Sequence, residues 1–180
     1  FSDAGVEISL KDLTSDIGIT TIGAAADDVR TKDPEMLTIG VGTHLDPEIA
    51  AVRALTEVAQ SRASHRHGLK VNAELRESTL KLGYDRIKAL NPMWYRPSSG
   101  SVRLSDMESR STPYVLDDIE LVLSALMDAG FDSVIAVDFT RPELGVPTVR
   151  MIVPGLEVYT MDAERVGGRL DNAFKTRKTK

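Results

Sequence analysis

The stretch from Asp46 to Gly68 constrains this chain more than any other, because it carries the local marks of one long helix from start to stop. Asp46 is a good N-cap, Pro47 suits the first helical position, and Glu48 complements the positive end of the helix dipole. Gly68 can close the helix in a left-handed cap. At 3.6 residues per turn, Ile49, Val52, Leu55 or Thr56 and Ala59 form the expected apolar stripe. Arg53, Glu57, Gln60 and Ser64 follow one another at steps of four, three and four, so a guanidinium, a carboxylate and a carboxamide share a face. Arg62 stands two residues beyond Gln60, and an ideal helix points it about 160° away. It either serves a different wall of a site or is structural.

Such a row suits oxygen-rich ligands. A carboxylate can hold a hard cation such as Mg²⁺, a carboxamide can coordinate or orient without adding charge, and an arginine fork can grip phosphate. The plainer alternative is a solvated face on which Arg53 and Glu57 pair for roughly 0.2–0.5 kcal/mol.

The rest of the chain reads as α/β. Short runs at Val6–Leu10, Gly18–Ala26 and Met36–Val41 predict three strands before the long helix. Lys70–Leu90 predicts a second helix with Gly83 as its weak point, ending at Asn91-Pro92. Residues 93–113 are rich in Pro, Ser and Gly without sustained period, which predicts a flexible loop or insertion, a candidate lid. Val115–Ala129 predicts a third helix stopped by Gly130. Ser133–Phe139 and Thr148–Val153 predict strands buried on both faces, joined by the turn RPELGVP. Residues 170–180, ending KTRKTK, predict a disordered basic tail. The order of elements predicts a mixed sheet with helices on at least one face.

Composition narrows the partners. A chain of 180 residues with 42% hydrophobic content can bury one core. A net charge of −5 offers no general attraction to nucleic acid, and zero cysteines exclude disulfides, thiolate metal sites and cysteine nucleophiles. No apolar run approaches the roughly 20 residues that span a bilayer, so the expectation is no membrane segment and a cytoplasmic protein.

Smaller features carry weaker readings. The GVGTH passage has neither a Walker lysine nor a full dinucleotide pattern, and Asp46 and Glu48 would repel an anion there. His44, His65 and His67 lack zinc-site spacing, and His65-Arg66-His67 falls where cations favour a helix C-terminus. Pro154-Gly155 signals a turn after a strand, so Arg150 and Glu157 can face a site, or the turn is purely structural. Trp94, Tyr95 and Arg96 either contact a peptide or anchor the loop to the body.

The ordered run GVGTHLDPEIAAVRALTEVAQSR, followed later by VRMIVPGLEVY, resembles the C-terminal half of a YcaO-domain protein, from roughly Asp12 to Arg169. The matching positions are Gly40, Gly42, His44, Asp46, Pro47, Arg53 to Glu57, Gln60 and Arg62. The resemblance implies an ATP-dependent enzyme that activates peptide backbone amides: a nucleophile attacks the carbonyl, ATP phosphorylates the oxyanion, and phosphate leaves. It implies that Glu57 and Gln60 help hold Mg²⁺ and nucleotide and that Arg62 meets phosphate; Arg150 and Glu157 stand as further cofactor-binding candidates beside the structural reading of their turn. The family's upstream glutamate motifs are missing from this sequence. The chain is therefore expected to need an upstream half of the YcaO domain and to be inactive alone. The phrases DLTSDIGI and VPGLEVYTMDAERVGGRL look most like the thioamide-forming branch. That branch uses sulfide on a glycine of the methyl-coenzyme M reductase alpha subunit and works with a TfuA-like partner. An azoline-forming cyclodehydratase, a noncatalytic peptide-binding module and a homodimer stay open.

Overall fold

Small residues decide how the first part of the chain packs. We describe residues 1–67, 73–96, 100–157 and 167–177 of a computed structural model, which divides into two compact units, Phe1–Val122 and Leu123–Lys180.

In the first unit, β1 (Glu7–Asp12), β2 (Thr21–Asp27) and β3 (Thr38–Thr43) form an antiparallel sheet in the order β1-β2-β3. Ala24 lies opposite Gly40, and Ile22 opposite Gly42. The long helix α1 (Pro47–Arg66) returns across this sheet. Its start is as the sequence predicts: Asp46 Oδ1 accepts from the Glu48 and Ile49 amides at 2.8 and 3.2 Å. Its buried face is not. Ala50, Ala51, Ala54 and Val58 pack on Ile22, Ala24 and Ala26, whereas Ile49 and Val52 are 43% and 58% exposed. The cause is close approach. A Cβ on Gly40 would lie 2.3 Å from the Ala54 carbonyl oxygen, and one on Gly42 2.1 Å from that of Ala50. Helix backbone this near to strand backbone leaves room only for small side chains between them.

The opposite face of β2 is covered by α4 (Pro92–Tyr95), against which α3 (Tyr84–Leu90) packs. A Cβ on Gly23 would meet the Trp94 ring at 2.6 Å, so the aromatic residue of this segment is an anchor on the body. At the end of β2, the Tyr84 hydroxyl and the Lys88 ammonium both donate to Asp27. The predicted second helix is divided, because Gly83, at φ 74°, separates α3 from α2 (Ala73–Leu82). The predicted start at Lys70 and the cap at Gly68 lie outside the described residues.

The loop expected over residues 93–113 is corrected at its start, where α4 forms; residues 97–99 lie outside the described residues, and residues 100–113, irregular apart from a 3₁₀ turn at Leu104–Asp106, are tied down. Ser109 Oγ donates to Asp46 Oδ2 at 3.1 Å, the Arg110 amide to the Leu45 carbonyl at 3.0 Å, and Arg110 Nη1 to the Gly18 carbonyl at 3.3 Å. The hydrogen bond from the Ile49 amide leads those that hold the Asp46 carboxyl below its usual range against its desolvation.

Helix α5 (Val115–Asp128) runs from the first unit into the second and is followed by Gly130 at φ 87°. In the second unit, β4 (Ile135–Asp138) and β5 (Val149–Ile152) pair antiparallel. The expectation that they are buried on both faces is corrected: Ile135, Val149 and Met151 are 47%, 58% and 55% exposed. An apolar run specifies a strand, but what covers it is a non-local matter. The expected tail is corrected in part, since Gly168–Arg177 forms α6; residues 178–180 lie outside the described residues. No helix among the described residues is long and apolar enough to cross a membrane.

Candidate functional site

Helix α1 runs antiparallel to β3, so its polar flank lies along the outer edge of that strand. Arg53 Nη1 donates to the Thr43 carbonyl at 3.0 Å, and one turn later Glu57 Oε2 accepts from the Val41 amide at 2.6 Å. The helix advances about 6 Å over four residues and the strand about 6.6 Å over two, so the pairing stays in step. Glu57 is thus fixed by one oxygen. Its other oxygen, and the exposed carboxamide of Gln60 on the same flank, have no hydrogen-bond partner among the described residues.

Arg62 is turned to the other flank, as its two-residue offset from Gln60 requires. Nη2 donates to Asp28 Oδ2 at 2.9 Å and Nη1 to the Met36 carbonyl at 2.7 Å. Burial raises the Asp28 carboxyl, but hydrogen bonds from Arg62 and Thr31, with the guanidinium charge, bring it net below its ordinary value. Sequence reasoning passed over Asp28, although two adjacent aspartates closing an apolar strand were a usable signal.

His44 Nδ1 accepts from the Asp46 amide at 3.0 Å, which gives this histidine a role at the entrance to α1. Arg150 lies on β5 opposite Val137. Glu157 accepts from the Arg169 and Leu170 amides at 3.0 and 2.9 Å, capping α6. A Cβ on Gly167 would sit 2.4 Å from its Oε1, so that approach depends on glycine. Both residues belong to the second unit. Among the described residues, no three His, Asp or Glu side chains converge as a metal cage.

The α/β fold, with a helix that carries a carboxylate and a carboxamide along a glycine-rich strand, defines a domain able to offer hard oxygen donors. Its family is known: residues 1–157 match the model of the YcaO cyclodehydratases, described as ATP- and Mg²⁺-binding, and the chain belongs to that family. It is 50% identical over 174 residues to an uncharacterized protein of Methanothermobacter thermautotrophicus, covering 97% of this chain and 45% of that one. It is 31% identical over 170 residues to an uncharacterized protein in the tfuA 3′ region of Rhizobium leguminosarum bv. trifolii, covering 86% and 38%. Among solved structures it resembles YcaO from Methanopyrus kandleri bound with AMPPCP and Mg²⁺, with TM-score 0.75, 33% identity, and coverage of 90% of this chain and 42% of that one. A heterocyclase in complex with substrate and cofactor shares the fold at TM-score 0.70 and 24% identity, covering 88% and 21%. The chain therefore spans less than half the length of these relatives.

Proposed function

We propose that this chain supplies one wall of the nucleotide and Mg²⁺ site of an enzyme that uses ATP to activate a peptide backbone amide. The observation that carries this reading is the Glu57–Gln60 flank of α1, where one carboxylate oxygen is fixed by Val41 and the remaining oxygens face outward. Those donors fit Mg²⁺, a hard cation that takes about six oxygens and keeps several for phosphate and water. They are too few to form a cage alone. The remaining ligands fall to phosphate, water and other parts of the longer protein.

Within the site, Glu57 and Gln60 bind and orient, and bound Mg²⁺ supplies charge neutralisation for a transferring phosphoryl group. The finer reading is thioamide formation with sulfide, acting on a glycine of the methyl-coenzyme M reductase alpha subunit, beside a TfuA-like partner. The methanogen relative and the relative from a tfuA region support it. Azoline formation is the second reading, favoured by the likeness to heterocyclases, among them TruD at TM-score 0.66 and 25% identity.

Calorimetry of ATP binding to the full-length protein, with and without Mg²⁺, tests the site. Glu57→Gln is expected to weaken Mg²⁺-dependent binding at least about tenfold while leaving the protein folded. Unchanged binding removes Glu57 from the site. Mass spectrometry of the peptide product separates the branches: exchange of oxygen for sulfur marks the thioamide, and loss of water marks the azoline.

A further inference from the structure

Arg62 is built into the fold by two partners. Its guanidinium bridges Asp28, the first residue after β2, and Met36, the last of the 3₁₀ turn before β3. Asp28 also accepts from the Thr31 amide at 3.1 Å, so the same carboxylate closes the turn that leads toward Met36. The pair is largely withdrawn from water, with side chains 15% and 8% exposed. A buried ion pair is weak evidence of stability, because desolvating both charges offsets their attraction. What it does supply is a directional link, since one planar guanidinium ties α1 to Asp28 and to the Met36 carbonyl at once. Arg62 lies on the flank of α1 opposite Glu57, whose carboxylate is fixed to Val41. The helix is therefore pinned from both sides, and its rotation on the sheet is set.

We propose that Arg62 serves the nucleotide site as a positioning residue, without touching phosphate, and that Asp28 is its partner in that role. Together they hold α1 at the rotation that aims Glu57 and Gln60 outward. This rests on the function proposed above and adds Asp28 to it. A guanidinium that spends one N–H of Nη1 and one of Nη2 on the fold, in a side chain only 15% exposed, has that edge of its planar fork turned inward. A phosphate clamp would need that fork facing the ligand.

The test uses the full-length protein with Asp28→Asn, Arg62→Met, Arg62→Lys and the Asp28→Asn/Arg62→Met double variant. Binding of ATP and of ADP is measured by calorimetry across Mg²⁺ concentrations, at a temperature where thermal melts show every variant folded. Asp28→Asn and Arg62→Met are each expected to weaken Mg²⁺-dependent binding about tenfold, as loss of an outer-shell support does. ATP and ADP should suffer alike, and the double variant should be no worse than either single one. Arg62→Lys, which keeps a charge for Asp28, should recover part of the loss. The proposal is overturned if Arg62→Met weakens ATP more than ADP while Asp28→Asn leaves both unchanged, since Arg62 then touches the terminal phosphate. It is also overturned if Asp28→Asn lowers the melting temperature without changing affinity. Should Asp28→Asn not fold, the milder Arg62→Lys decides: an equal small loss for both nucleotides supports positioning, and a loss confined to ATP refutes it. If Glu57→Gln leaves binding intact, the proposed site itself fails and this inference with it.

Discussion

Gly42→Ala should damage the protein by displacing α1 from the sheet. The added Cβ would lie 2.1 Å from the Ala50 carbonyl oxygen and 2.7 Å from both the Ala54 nitrogen and the Arg53 Cβ. Relief requires a retreat of roughly 1 Å, and a gap of that size forfeits up to about half of each dispersion contact it opens. Overpacking of a tight core costs about 1–3 kcal/mol. The obstructing atoms include helix backbone, so we expect the upper end, about 3 kcal/mol. At about 2–4 °C per kcal/mol for 180 residues, and less in a longer protein, the melting temperature should fall by at most roughly 12 °C. The sign is diagnostic, because alanine at an unobstructed, compatible site stabilises by about 0.4–1 kcal/mol through the unfolded chain. Gly100→Ala is the matched control, since nothing lies within 4 Å of its added Cβ. Thermal and urea unfolding of the full-length variants, followed by circular dichroism, would give both values. A Gly42→Ala variant within about 0.5 kcal/mol of wild type would refute the close-approach account of α1.

Trp94→Ala should open the face of β2 at Gly23 and cost about 2–3 kcal/mol in the same unfolding assays, short of full aromatic deletion because Trp94 is only partly buried. A cost near zero would mean that α4 does not anchor the segment. Burial, with the nearby Asp27 charge adding, pushes the Tyr95 phenol up to about 12. Tyr84 is raised as well, by burial and its hydrogen bond to Asp27, so an alkaline absorbance titration should show two phenols ionising above the ordinary value near 10, of which Tyr95→Phe removes one. Ionisation of all tyrosines together near pH 10 would contradict it.

The parts of the fold legible in the sequence are those fixed by neighbours in the chain. Asp46 and Pro47 announce the start of α1 because capping needs only the next few amides. Gly83 marks the break between α2 and α3 because its positive φ is a local property. Periodicity chose the wrong stripe of α1 because it weighs Ile49 and Val52 above alanine. The choice was made instead by Gly40 and Gly42, through a contact invisible until the strand and helix meet. The uncovered faces of β4 and β5 and the capping of α6 by Glu157 are non-local in the same way. In the candidate site, the shared flank of Arg53, Glu57 and Gln60 followed from helical spacing. The Asp28 partner of Arg62 stands 34 residues away and had to be found in space.

The contacts of Arg53 and Glu57 with β3 also bear on how the molecule behaves in a crowded solution. An outer strand with unanswered amides and carbonyls is a template for self-association. Here two of those groups, the Val41 amide and the Thr43 carbonyl, are answered by the chain's own charged side chains, so an incoming strand must first displace them. A substitution at Glu57 therefore does two things at once: it alters a ligand-facing carboxylate and uncovers an edge. Loss of nucleotide binding in such a variant has its simple meaning only in samples that sedimentation shows to have kept the assembly state of the wild type.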